Sequence, residues 1–305
     1  MMLFYTNYTH YKLNLLYLHK NIPKLQSREN MKITIIVSVY KNTKALKLVL
    51  DSILNQSVKV DEIIVSEDGD SIEMKDFIST LDIKNLIHLT QEDLGWRKNI
   101  ALNNSIKKAS GDYLIFIDGD VALHKRFVEG HIYCSKPKRV CAGKRASLGK
   151  EYSQKILDGI LTIDELADSY IRKIIPLHKD NVKHYEDGIY IKPNSFLYNS
   201  FIQKKSIDIL GCNFSCYKKD FESINGFNED YKLPAIGEDT DISWRFKASG
   251  IEVISCRNIA NIYHLWHKKG FSNRQENHKI LKSNSDINRF VCLNGLKKLK
   301  DGETL

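Results

Sequence analysis

Gly111-Asp112-Tyr113-Leu114-Ile115-Phe116-Ile117-Asp118-Gly119-Asp120 runs from a glycine turn through an apolar stretch into a second turn that carries two carboxylates. A short continuous apolar run bounded by turn residues fits a strand buried on both faces. Two acids one residue apart, with a glycine between them, suit a hard divalent cation such as Mg2+ or Mn2+ and, through it, a diphosphate. An ordinary Asp-Gly turn has the same sequence, so the surrounding chain decides between the two.

Working outward towards the N-terminus, strand-like and helix-like segments alternate. Residues 33–39 form a β-branched run, and residues 43–54 place Leu46, Val49, Leu50, Ile53 and Leu54 at helical spacing. Residues 62–66 are a second strand ending in Glu67-Asp68-Gly69-Asp70, residues 71–81 a helix, residues 86–89 a third strand, and residues 96–109 a helix with Ile100, Ala101, Ile106 and Ala109 inward. Such alternation predicts a mainly parallel sheet with helices on both faces. In such sheets ligands gather at the carboxyl ends of the strands. Ser38-Val39-Tyr40, Glu67–Asp70, residues 91–97 and Asp118-Gly119-Asp120 all follow strands, so four polar segments fall on one sheet edge.

Working outward towards the C-terminus, residues 150–205 are less regular, with apolar spacing that predicts one helix over 156–175 and fits a lid or acceptor-shaping insertion. Order returns at residues 210–217. Gly237-Glu238-Asp239 precedes a helical run containing Ile242, Trp244, Phe246 and Ala248 and closed by Gly250. Residues 251–255 and 261–264 read as short strands, and the chain from about 275 as helix. Asp239 or Asp241 can cap the helix that follows. Capping gives no reason for a glycine and two successive acids, and a carboxylate facing the metal edge can act as general base on a hydroxyl. In Tyr263-His264-Leu265-Trp266-His267, either imidazole can complete a metal shell begun by a carboxylate. In Trp96-Arg97-Lys98-Asn99, Arg97 and Lys98 can neutralise phosphates at a helix N-terminus, or lie in a solvated first turn.

Composition sets the bounds. The chain has 305 residues and a net charge of +9, with 42% hydrophobic and 27% charged residues, as in a globular protein with a sizeable core. No run is long enough to be a membrane-spanning helix. Residues 1–30 carry a net +3 and residues 268–305 a net +5; a basic tail can meet anionic lipid, or simply be solvated. The six cysteines show no zinc spacing and read as buried free thiols of a reducing compartment. Residues 1–30 do not match the strand-rich chain after Met31 and read as an extension, disordered, amphipathic or not native.

As an ordered set, Val37-Ser38-Val39-Tyr40, Val65-Ser66-Glu67-Asp68-Gly69, Trp96-Arg97-Lys98-Asn99, Asp118-Gly119-Asp120 and Gly237-Glu238-Asp239 resemble the family-2 inverting glycosyltransferases of the GT-A fold. The stretch from Gly211-Cys212-Asn213-Phe214-Ser215 through Gly226-Phe227-Asn228-Glu229 to Glu238-Asp239 is similar to the C-terminal region of β-1,4-galactosyltransferases and of chondroitin- and hyaluronan-type polymerases. The resemblance implies an α/β GT-A domain over 31–270: a nucleotide-binding half at 31–122, a variable connecting region at 123–208 and a half at 209–270 that shapes the sugar pocket and completes the metal site. A basic helical tail, 271–305, would follow. It implies nucleotide-sugar contacts from Val39, Tyr40, Asp68, Trp96, Arg97, Asn99, Asp118, Gly119 and Asn213, with segment 211–216 lining the donor-sugar pocket. Mn2+ or Mg2+ would sit on Asp120 with His264, His267 or both. Asp239 would be the catalytic base and Glu238 a contact to acceptor or donor sugar. The expected reaction moves a sugar from UDP-Gal, UDP-GalNAc, UDP-Glc or UDP-GlcNAc to a hydroxyl of a glycan or lipid-linked glycan, forming a β-linkage in bacterial cell-surface glycan synthesis. The expected setting is cytoplasmic, with peripheral contact at the inner face of the membrane through the basic tail, and without nucleic acid.

The chain departs from that pattern in two places. The usual Asp-Gly-Ser after the second strand reads Asp68-Gly69-Asp70, and there is room for one catalytic domain rather than the pair typical of polymerases. Two rival readings are a non-glycosyl nucleotide enzyme, such as a nucleotidyltransferase, and a non-catalytic scaffold that binds membrane or nucleic acid. Neither a Gly-x-Gly-x-x-Gly nor a glycine-rich basic loop follows the first strand, which disfavours the first, and the second leaves the acids on the ligand edge without a role.

Overall fold

Strand β1 (Ile33–Val39) is buried along its length, and it sits in the interior of the main sheet because almost every residue in it is apolar or β-branched. The computed structural model describes residues 31–203, 205, 207–268, 270, 274–303 and 305. Contacts divide the chain into a short unit, Met1–Met31, and a body, Lys32–Leu305, which is the part described below. The extension expected at residues 1–30 lies outside the described residues.

After β1 come α1 (Thr43–Leu54), β2 (Glu62–Glu67), α2 (Ile72–Ser79), β3 (Leu86–Leu89), α3 (Lys98–Lys108) and β4 (Tyr113–Asp118). The amide oxygen of Asn42 caps α1 by accepting from Ala45 N at 3.0 Å, and the helix buries Leu46, Val49, Leu50 and Ile53. Leu54, expected on that apolar face, is largely exposed at the helix end. The chain continues through β5 (Val121–Leu123), α4 (Phe127–Cys134), β6 (Arg139–Ala142), β7 (Ala146–Ser147), α5 (Lys150–Leu157), α6 (Ile163–Asp168) and α7 (Ile174–Lys179). It ends with β8 (Asn213–Tyr217), α8 (Lys218–Glu222), α9 (Thr240–Ala248), β9 (Glu252–Ser255), β10 (Ile262–His264) and α10 (Gln275–Asp286).

The main sheet has seven strands in the order β3-β2-β1-β4-β8-β6-β9. The first four are parallel; β8 runs antiparallel to both β4 and β6, and β9 is parallel to β6. This is the mixed, mainly parallel sheet the sequence predicts. A second sheet, β5-β10-β7, stands beside it. One core lies on the α3 and α9 side, where the Phe116 and Phe214 rings stack at 4.5 Å and Phe221, Phe227 and Phe246 gather round them. A second core joins Leu148, Tyr152, Leu166, Tyr170, Leu177 and Tyr263.

Two expectations are corrected. The single helix over 156–175 is broken into α5, α6, a 3-10 turn at Ile171–Lys173, and α7. The break has a local cause: Gly159 takes φ +71°, and Thr162 with Glu165 then forms a capping box that starts α6. The C-terminal tail is helical only as far as Asp286, and residues 287–303 are irregular apart from a bridge between Asn294 and Lys298. Part of its charge is paired: Lys282 with Asp286, Arg289 with Asp301 and Lys298 with Glu229.

Candidate functional site

The register of the parallel strands aligns their carboxyl ends. Ser38 pairs with Asp118 across β1 and β4, and Val39 with Glu67 across β1 and β2. The ladder extends past the strands, since Gly119 N donates to Ser38 O at 2.7 Å and Asp68 N to Val39 O at 3.1 Å. A side chain on residue 119 would collide with β1, because an added Cβ would lie 2.6 Å from Val39 Cγ1. The glycine therefore lets two acids turn against the end of the neighbouring strand. A cavity of about 560 Å³ opens here, lined by Val39, Tyr40, Asp68, Trp96, Lys98, Asp118, Gly119, Asp120 and His267, together with Ser38, Asn42 and Gly95. It lies in the crevice at the strand ends, where ligands of open α/β sheets collect.

Asp68 is held rigidly: Gln91 Nε2 donates to one carboxylate oxygen at 2.6 Å and Arg97 N to the other at 2.7 Å. Tyr40 is exposed, its hydroxyl reaches Asp93 at 3.3 Å, and it lines the cavity together with Asp68.

Strand pairing also brings the histidines to Asp120. β10 runs antiparallel to β5 with His264 opposite Val121, and Leu265 N donates to Asp120 O at 2.9 Å. His264 Nε2 and His267 Nε2 both lie 3.5 Å from Asp120 Oδ2. The three side chains can each offer a ligand atom within 4.8 Å of the others. Asp120 Oδ1 is buried with no hydrogen-bond partner among the described residues. Burial, together with the nearby Asp118 charge, pushes the Asp120 carboxyl above the usual range, although His264 opposes this. Burial also pushes the His264 imidazole down, leaving it neutral and able to coordinate. An orphaned acid oxygen beside two imidazoles is a donor set that fits Mn2+ or Mg2+, with the nitrogens favouring Mn2+.

Asp118 has a different partner. Lys98 Nζ, at the first residue of α3, pairs with Asp118 Oδ1 at 2.8 Å. Burial pushes the Asp118 carboxyl up, but the Lys98 ammonium outweighs it and the group lies below its ordinary value. For Lys98 the balance is similar: burial favours the neutral amine, and the Asp118 and Glu238 charges overcome it and raise the group. Glu238 has a buried Oε2 with no partner among the described residues, and burial raises its carboxyl. Asp239 is the N-cap of α9, accepting from Thr240 N at 2.6 Å. Asp241, the other capping candidate, instead pairs with the buried Arg245 at 2.6 Å and accepts from the Tyr231 hydroxyl at 3.0 Å. The glycine before the two acids is explained by Tyr231, whose ring lies 2.5 Å from where a Cβ of residue 237 would sit.

Three residues expected at the nucleotide-sugar are placed otherwise. Asn99 is buried, and its amide donates to Asn228 O at 2.7 Å and Gly237 O at 3.3 Å, so it fastens α3 to the loop bearing Glu238. Asn213 is fully buried beneath the site, donating to Lys144 O at 2.8 Å and Ala260 O at 3.0 Å while its oxygen meets His131 Nε2 at 3.0 Å. Of segment 211–216, Gly211 packs against Glu238, and residues 213–216 lie within the sheet. The Arg97 side chain folds back onto the Glu92 carbonyl, and Lys98 faces the cavity in its stead. Arg145 was not anticipated; its guanidinium lies near Asp118 and Asp120 and donates to Cys212 Sγ at 3.4 Å. Its sequence neighbourhood carries no signal for this, because it reaches the site through the β6–β7 connection.

The profile described as Glycosyl transferase family 2 matches residues 34–140, and one described as the N-terminal domain of galactosyltransferase matches residues 193–268. Residues 34–140 are thus a glycosyltransferase family 2 region, followed by a galactosyltransferase-like C-terminal region. The chain is 33% identical over 159 residues to the glycosyltransferase GlyA of Streptococcus pneumoniae, covering 51% of the chain and 21% of that protein. It is 28% identical over 137 residues to the GalNAc(5)-diNAcBac-PP-undecaprenol beta-1,3-glucosyltransferase of Campylobacter jejuni, covering 42% of the chain and 44% of that protein. The matches thus span less than half the length of either relative. The crystal structure of GalNAc-T7 with UDP, GalNAc and Mn2+ superposes with a TM-score of 0.55 at 12% identity, covering 80% of the chain and 45% of that structure, which establishes the GT-A fold. Among the described residues no helix is long and apolar enough to cross a membrane.

Proposed function

We propose that this domain transfers a sugar from a UDP-sugar, with Gal, GalNAc, Glc or GlcNAc as the sugar, to a hydroxyl of a glycan or lipid-linked glycan, inverting the anomeric centre to give a β-linkage. The observation that carries the reading is the convergence of Asp120, His264 and His267 on the wall of the cavity that Tyr40, Asp68 and Trp96 line. UDP bound to GalNAc-T7 and the undecaprenyl-diphosphate acceptor in the name of the Campylobacter relative support the donor and acceptor classes.

In this reading Val39, Tyr40 and Asp68 hold the uracil and ribose, and Asp118 and Lys98 stand beside the diphosphate. Mn2+ or Mg2+ on Asp120, His264 and His267 would supply positive charge to the leaving group, a contribution of several kcal/mol. Asp239 takes the proton of the acceptor hydroxyl as that oxygen attacks the anomeric carbon. UDP leaves from the opposite face, so an α-linked donor becomes a β-linked product. Glu238, whose raised carboxyl keeps hydrogen-bonding capacity free, contacts a sugar hydroxyl. General-base assistance contributes about 10²–10⁴ in rate.

Asp239→Asn is therefore expected to lower turnover by about that factor while UDP–Mn2+ affinity stays near wild type, measured by UDP release and by calorimetry. Near-normal turnover in this variant would remove Asp239 from the role. Asp120→Ala is expected to abolish the gain in UDP affinity that Mn2+ gives, and an unchanged gain in calorimetry would refute the metal assignment. UDP release measured across the four donors names the sugar.

A further inference from the structure

The segment from Tyr170 to Lys179 has two unlike sides. Tyr170 and Leu177 point into the second core and are fully buried. On the opposite side Ile171 is 66% and Ile175 71% exposed. These two are four residues apart across the 3-10 turn and α7, so they share a face. Between Asp168 and Asp180 the chain carries Arg172, Lys173 and Lys179 and no acid. None of these three cations lies within ion-pair distance of an acid among the described residues, although the Lys173 charge reaches Glu165. Beside them Ile174, Ile175, His178, Lys179 and Tyr185 line a hollow of about 280 Å³. Branched aliphatic side chains left in water, rimmed by unpaired cations and one exposed tyrosine, are costly for a purely solvated surface.

We propose that this face docks on an anionic lipid bilayer, with Ile171 and Ile175 entering the headgroup–acyl boundary and Arg172, Lys173 and Lys179 meeting lipid phosphates. The charge pattern selects this occupant. A neutral protein groove would match the isoleucines and leave three cations unmatched, whereas a negatively charged membrane matches both. The tyrosine suits the same depth, having an apolar ring and a polar tip. In the tail, by contrast, Lys282, Arg289 and Lys298 are already paired with acids. The proposal does not depend on the glycosyl-transfer reading.

The test is co-sedimentation of the full chain with vesicles of phosphatidylcholine alone and of phosphatidylcholine with about one-third phosphatidylglycerol. Wild type is expected to sediment with the anionic vesicles, less so as salt rises, and not with the neutral ones. The double variant Ile171→Glu/Ile175→Glu is expected to lose at least about tenfold in partitioning, because each buried isoleucine contributes well over that factor. Its melting temperature should not change, since both side chains are exposed. Arg172→Glu/Lys179→Glu should reduce binding to a similar degree. Lys279→Glu/Lys282→Glu in the tail should leave it unaltered. Absence of wild-type binding, equal binding to neutral vesicles, or full binding by both helix variants would each overturn the proposal.

Discussion

At the scale of single residues, Asp118 and Asp120 look interchangeable in sequence, and the structure gives them different partners. Asp120 meets two imidazoles and keeps one buried oxygen free, while Asp118 is neutralised by Lys98. Lys98 thereby becomes the residue on which the electrostatics of the cavity turn, because it also faces the buried Glu238. Lys98→Met removes the one cation that forms an ion pair with Asp118 among the described residues and leaves two part-buried carboxylates to repel each other. A loss of about 1–3 kcal/mol in folding stability is expected by denaturant melts, since a broken buried pair strands its partner. If the diphosphate lies beside Lys98 as proposed, UDP affinity without added metal should fall about tenfold while uridine affinity does not change, because only the phosphates would face the ammonium. Equal losses for UDP and uridine would mean that Lys98 only supports the fold.

At the scale of elements, what the sequence discloses is what neighbours along the chain can encode. β1, β2 and β4 were readable because strands buried on both faces are continuous apolar runs, and α1 was readable from its spacing and its Asn42 cap. The clustering of Tyr40, Asp68, Asp118 and Asp120 on one edge follows directly from that reading. Asn99 and Asn213 were misplaced because a polar residue beside a motif looks like a ligand contact, whereas their partners lie 129 residues away for Asn99 and 69 for Asn213. For the same reason α10 read as a tail. Its Asn277 is buried and donates to Leu233 O at 2.8 Å and Ala235 O at 2.6 Å. These bonds hold the approach to Glu238, where Ala235 and Ile236 both take positive φ, near +70°. For a β-branched residue such as Ile236 this is strained backbone, and it persists only where its surroundings fix it. Asn277→Ala should therefore release the loop and lower kcat by an order of magnitude or more, with UDP affinity retained because Asp68 and Tyr40 are untouched. Slowed transfer with normal UDP calorimetry is the expected pair of results; unaltered kcat would show that the loop holds its shape without α10.

At the scale of the whole molecule, one buried polar chain ties the two sheets together and sets the response of the fold to acid. The Tyr113 hydroxyl donates to Ser215 Oγ at 2.7 Å, and Ser215 in turn donates to His131 Nδ1 at 2.7 Å. His131 Nε2 then donates to Asn213 Oδ1 at 3.0 Å, and the Asn213 amide reaches carbonyls before β7 and before β10. At Nε2 the direction is set by Asn213, whose amide hydrogens are spent on the carbonyls so that its oxygen must accept. Burial keeps the ring neutral, so Nδ1 accepts from Ser215. Burial pushes the imidazole down from 6.5 to about 3, against the hydrogen bond to Asn213. The consequence has a definite sign. Between those two values the unfolded chain binds a proton that the folded chain refuses, so stability falls as pH drops from about 6.5 towards 3. Over that window the loss from this one site is about 3–5 kcal/mol, at 1.36 kcal/mol per unit. His124, stacked on Tyr190 and pushed down to about 4 by burial, adds a smaller loss of the same sign. His131→Gln should be less stable than wild type at pH 7, because the network and the contact with Phe127 are cut. It should also lose less on acidification, so the stability gap between the two proteins narrows steadily below pH 6.5. Denaturant melts at a series of pH values measure that gap, and a constant gap would mean that His131 is protonated without penalty and that the polar chain does not hold the two sheets together.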